Sequence, residues 1–263
     1  MSKKILTKKL AEQFIAGKLE DLSCFTLIND EAAEVIASIN ELDATNPSEY
    51  IYESIDIDLS GLTNISSSSA RYLASIKGDI SLPSLCFDGM PQLSTGVAQA
   101  LSEFRGDLSF DSLKTLSPED ARYLAMSGIN IDCENGPDAT SLSLGGLTSL
   151  TPELASALGA YGGSLCLNGI IDLPPEVASG LCELNSHFDI WCPEGSSLYL
   201  NGLRTLDPAS AQMLASVNVE NICLEGLKLI SVDTAHELSK FTGRLYVATE
   251  IENLISRNRN TKK

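Results

Sequence analysis

The chain reads as a right-handed α/β solenoid, with a parallel sheet on its concave side and short helices on its convex side. Three observations carry that expectation. A short apolar alternation recurs seven times, starting at Ile57, Leu85, Leu108, Leu142, Leu165, Leu198 and Ile222, with spacings of 28, 23, 34, 23, 33 and 24 residues. Four positions after each start stands Gly61, Gly89, Ser112, Gly146, Gly169, Gly202 or Gly226, followed by a large apolar residue. Thirteen positions after each start stands an alanine, from Ala70 to Ala235, and sixteen after it a leucine, from Leu73 to Leu238. A period of two that gives way to helical spacing is a strand feeding a helix, and units repeated in this way stack into a solenoid.

Leu142 to Leu158 states the unit most plainly. Leu142 and Leu144 alternate with Ser141, Ser143 and Gly145, so the leucines share one face of a short strand. Gly146 gives the turn. Thr151, Pro152 and Glu153 supply an N-cap, a proline at the first helical position and an acid at the positive helix end, and Leu154, Ala155 and Leu158 follow at helical spacing. Similar punctuation recurs at Ser117, Pro174 and Asp207 with a proline, and at Ser66, Ser94 and Ser231 as caps alone.

In chain order, residues 1–21 form an N-terminal helical cap, because Leu6 to Ala16 resembles the helical half of the unit with no strand before it. Residues 22–55 hold a degenerate repeat, with its helix at Asp30 to Ile36, and an insert; residues 56–244 hold seven regular repeats. A strand at Leu245 to Val247 opens a C-terminal cap over 245–255, which completes a single solenoid over 1–255, and 256–263 is a disordered basic tail. Three segments exceed the short repeat: Glu41 to Ser54, Ile129 to Thr140 and Phe188 to Ser196. They read as extra strand and turn inserts in alternate repeats, either hairpins or helix-free half repeats.

Charge narrows the partners. The formal net charge is −17, yet Lys3, Lys4, Lys8 and Lys9 sit at one end and Arg257, Arg259, Lys262 and Lys263 at the other, which leaves the body strongly acidic. Such a field repels nucleic acid and anionic membranes and speeds encounter with basic proteins, although solubility alone is the plainer reading. Seven cysteines occur without a CxxC pair, and Cys86, Cys166 and Cys223 share the solvent-side strand position, which points to free thiols in a reducing compartment. Neither a signal-peptide core nor a run of ~20 apolar residues is present. The expected location is cytoplasmic, with export by a leaderless route left open.

The LxL strands repeated at 23 to 24 residues and the A-x-x-L-A endings at Ala70 to Ala74, Ala121 to Ala125 and Ala211 to Ala215 resemble leucine-rich repeats, in particular bacterial ones with helical convex sides. The resemblance covers Leu22 to Val247 and implies a protein-binding concave sheet. The family's asparagine ladder is met only by Asn168 and Asn201, with Ser60, Asp88, Asp111, Gly145 and Glu225 at the other equivalent positions.

On the solvent face, Asp56, Asp58, Asp88, Asp107 and Asp111 gather at the N-terminal end, the middle is small and neutral, and Tyr199, Trp191 and Tyr246 stand as aromatic anchors toward the other end. The expected function is a non-catalytic protein–protein interaction module, its partner basic in the sharper reading, bound on the concave face and the insert ridge. In the plainer reading the aspartates only keep an open sheet soluble. Tyr50 and Tyr52 in the first insert are further surface candidates, and the same aspartates are the residues a calcium site would use. Three alternatives stand beside the binding module: a secreted effector acting on host proteins, a self-associating assembly protein and a calcium-dependent binding module. His187 and His236, the only histidines, have no nucleophile arranged with them, and phosphate-loop, dinucleotide and zinc motifs are missing. No enzyme activity, cofactor, metal, nucleic acid or membrane partner is expected, and the oligomeric state is not legible.

Overall fold

The computed structural model describes residues 4–39, 55–77, 82–127, 140–184 and 196–260. Two partial units open the chain: β1 (Ile5–Leu6) with α1 (Lys8–Ile15), and β2 (Leu27–Ile28) with α2 (Asp30–Ala37). Next come β3 (Asp56–Asp58), α3 (Ser67–Ala74), β4 (Ser84–Cys86), α4 (Thr95–Leu101), β5 (Asp107–Ser109), α5 (Pro118–Met126), β6 (Ser141–Ser143) and α6 (Pro152–Gly159). The series continues with β7 (Ser164–Cys166), α7 (Pro175–Leu181), β8 (Ser197–Tyr199), α8 (Pro208–Leu214), β9 (Asn221–Cys223), α9 (Val232–Leu238), β10 (Arg244–Tyr246) and α10 (Thr249–Asn260). β3 to β10 form one parallel sheet of eight strands in sequence order, so every strand crosses over through a helix to its immediate neighbour, as in a solenoid.

Strand starts pair with strand starts, as in Ile57 with Leu85 and Leu142 with Leu165. From β3 to β9 these central residues are at most 2% exposed. Their strand neighbours alternate to the other side, and the apolar core lies between sheet and helices. The alanine thirteen positions on, from Ala70 to Ala235, is 0% exposed in all seven helices, which fixes how near each helix comes to the sheet. Ser66, Ser117, Thr151, Asp207 and Ser231 each accept a backbone N–H from the first helical turn, whereas Ser94, expected as a cap, makes no such bond.

The turn glycines owe their place to packing rather than to φ. Among the described glycines only Gly17 has a positive φ. A Cβ on Gly61, Gly89, Gly146, Gly169, Gly202 or Gly226 would lie under 3.0 Å from two carbonyl oxygens of the preceding unit, so each turn rests directly on the backbone before it. Gly61 rests in this way on Ser23 and Phe25, which places the turn of the degenerate repeat beneath β3.

Three expectations at the ends give way. The N-terminal cap does have a strand, because Ile5–Leu6 pairs in parallel with Leu27–Ile28 just ahead of the two helices, apart from the main sheet. The last strand is Arg244–Tyr246, which is one residue earlier than expected and makes an eighth strand of the main sheet. The tail read as disordered from 256 is helical as far as Asn260, since Ile251 and Ile255 are 4% and 3% exposed against the core and no glycine or proline interrupts the turn after them. The three inserts lie outside the described residues, apart from Thr140 and Ser196 at their ends.

Candidate open-face site

The side of the sheet away from the helices carries two or three side chains from each strand and turn. Strand order puts Asp56 and Asp58, then Asp88, then Asp107 and Asp111 on three successive repeats at one end. Parallel strands at about 4.8 Å make the face roughly 34 Å from β3 to β10. Ser109, Ser143 and Cys166 floor the middle, and Tyr199 and Tyr246 stand at the far end.

Several of the aspartates have a second job. The Asp88 carboxylate accepts from Ser109 Oγ at 2.6 Å and from the Asp111 N–H at 2.8 Å. Asp111 in turn accepts from Ser143 Oγ at 2.6 Å and the Gly145 N–H at 2.8 Å. Asn168 does the same for the Asn201 N–H and Asn201 for the Glu225 N–H, at 2.9 and 3.0 Å. At Asp88 and Asp111 aspartate therefore does the work expected of ladder asparagine, and Gly145 has no side chain to offer Asn168 in turn. At these two positions the departure from the repeat pattern is a substitution of acceptors.

A second row of bonds sits at the start of the strands. Between most neighbouring strands the first N–H donates to a backbone carbonyl, as Asp107 does to Pro83 and Ser164 to Thr140. Where a long insert intervenes, before β6 and before β8, the strands pair over two residues instead of three. There a side chain takes over: Asp107 Oδ1 accepts from the Ser141 N–H at 2.6 Å, and Ser164 Oγ from the Ser197 N–H at 3.0 Å. Asp58 is bound locally, accepting the Ser60 N–H at 2.9 Å, and Asp56, Asp58 and Asp111 are the exposed members of the group.

At the opposite end Cys223 lies in register between Tyr199 and Tyr246 and is 8% exposed, where a solvent-side thiol was expected. Cys86 and Cys166 are half-buried. Burial pushes the Cys86 and Cys223 thiols up to about 11, which leaves them protonated and weakly nucleophilic near neutral pH. Arg244, which sequence reading did not place, joins this end as an exposed cation, because the frame continues one strand further than the seven clear starts. His236 lies half-buried in α9. Trp191, Tyr50, Tyr52 and His187 lie outside the described residues.

A scan against protein-family models and a search of curated proteins return no match. What the face offers is therefore read from its own chemistry. Among the described residues no three His, Cys, Asp or Glu side chains converge as a cation site, so the aspartates are spread along the face rather than folded around a point. No helix among them is long and apolar enough to cross a membrane.

Proposed function

We propose that this chain is a non-catalytic protein-binding module that docks a basic partner across the open face of its sheet. The observation that carries the reading is that, among the described residues, helices cover one side of the eight strands only. The uncovered side runs from five carboxylates, through a floor of small side chains, to Tyr199 and Tyr246. A cationic segment gains at the acidic end and an aromatic or aliphatic group at the tyrosine end, which fixes its direction. The resemblance to leucine-rich repeats supports the same use of the sheet. Free thiols at Cys24, Cys86, Cys166, Cys182 and Cys223 fit a reducing compartment such as the cytoplasm.

The test must spare the ladder. Asparagine keeps the accepting oxygen of aspartate and removes its charge, so the variant of choice carries Asp56, Asp58, Asp88, Asp107 and Asp111 all as asparagine. Affinity capture from a lysate of the cells that make the protein, at low and raised salt, should yield a basic protein on the wild type that salt weakens and the variant loses. Equal retention by the folded variant would place binding elsewhere.

A further inference from the structure

We propose that β10 is a self-association edge, through which two copies of this chain pair antiparallel to join their sheets. In β10 the Arg244 N–H donates to the Glu220 carbonyl at 2.8 Å, and the Tyr246 carbonyl accepts from the Leu224 N–H at 2.7 Å. Both residues thus turn their backbone groups toward β9. Leu245, between them, turns its N–H and C=O outward, to the side where the sheet ends. Its side chain marks the same opening: the equivalent residues of β3 to β9 are at most 2% exposed, while Leu245 is only half-buried and Tyr246 is 44% exposed. α10 covers the core through Ile251 and Ile255, but among the described residues no turn or strand is added beside β10.

An unpaired edge is a template for another strand, and the sequence Arg-Leu-Tyr selects a second copy of itself. Centred on Leu245, antiparallel pairing makes the two leucines a hydrogen-bonded pair that exchanges both N–H···O bonds. It sets Arg244 of each copy directly opposite Tyr246 of the other on the open face, so the arrangement carries two cation–π contacts. Among the described residues the opposite edge, β3, differs. Beside β3, the turn of the degenerate repeat already lies against Gly61, and Asp56 and Asp58 charge the strand itself. Because both copies use the same edge, the contact is isologous and closes as a pair and not a fibre. The contact is short and each chain carries a net charge of −17, so the pair is weak and strengthens as salt screens the repulsion.

The test is the mass of the purified full chain by sedimentation, from about 10 μM to about 1 mM, the range of small interfaces. The expected result is a shift from 28.1 kDa to twice that mass, with no larger species. Two substitutions at exposed Tyr246 separate edge pairing from overall charge. Tyr246→Lys faces Arg244 with a like charge and should stay monomeric, although it lowers the net repulsion. Tyr246→Glu faces it with an opposite charge and should still pair, although it raises that repulsion. Leu245→Pro, which removes an outward N–H from an edge strand, should also be monomeric. Wild-type hydrogen exchange needs no variant: the Leu245 amide should slow as concentration rises. A wild type that stays at 28.1 kDa throughout, a dimer unchanged by Tyr246→Lys, or a Leu245 amide indifferent to concentration would each overturn the proposal. Because no other protein is present, these outcomes are independent of whether a partner binds the face.

Discussion

Asp107 illustrates how much a single side chain can carry in this chain. It closes the strand pairing next to a long insert, where the backbone carbonyl used elsewhere is not in line. Asp107→Ala should cost about 1.5–3 kcal/mol in urea unfolding, the usual value for a hydrogen bond to a charged group, and Asp107→Asn much less. Equal losses for the two would mean that charge, not the acceptor, matters there. The turn glycines make a parallel case. Gly202→Ala should cost about 1–3 kcal/mol by overpacking, because its Cβ would press on the Asn168 and Ile170 carbonyls. The sequence showed that both columns were special without showing why. A glycine in six of the seven repeats is equally consistent with a positive φ, and only stacked backbones reveal that the reason is contact. Aspartate in place of ladder asparagine looked like a break in the pattern, because charge is visible in a sequence and acceptor geometry is not.

At the scale of the element, helix starts couple one repeat to the next. Asp30 in α2 accepts Ser66 Oγ and Ser69 Oγ from the start of α3 at 2.5 and 2.6 Å. Asp207 caps α8 through the Ala209 and Ser210 N–H groups, while Ser210 Oγ reaches back to the Leu173 carbonyl. Hydrogen bonds from Ser66 and Ser69 hold the Asp30 carboxyl below its ordinary 3.8. Burial pushes the Asp207 carboxyl up, but the bonds from Ser210 and Ala209 outweigh it, and the net direction is also down. Both groups therefore add stability that is present above their unfolded value and is lost as pH falls through the lower folded one. The urea midpoint should fall below about pH 4, and Asp207→Ser, which keeps a cap, should flatten that fall; an unchanged slope would remove Asp207 from the account. Helix contacts are also close. A Cβ on Gly180 of α7 would lie 2.8 Å from the Ala155 Cβ of α6, so Gly180→Ala should lower the melting temperature in spite of its better helix propensity. Strand starts, caps and the buried alanine column were legible because periodicity and caps are local. The β1–β2 ladder was not, because two residues are too short to show a period.

For the whole molecule, the solenoid itself was the most legible feature, since seven starts in one frame leave few other arrangements for their apolar faces. Its ends were the least legible. Capping depends on which surfaces the last repeat leaves bare, and the helix through Asn260 repeats nothing earlier in the chain. The acidic and aromatic ends of the face could be read column by column, but the division of labour among the five aspartates could not, because it needs distances across repeats. The central claim is that a partner lies on the open face. Hydrogen exchange of the complex with the captured partner tests it most directly. The expected result is slower exchange along β3 to β5 and at β8, beneath Tyr199, with α3 to α8 unchanged. Slowing confined to the helices, with the strands unaffected, would contradict the claim and move the binding surface to the other side of the solenoid.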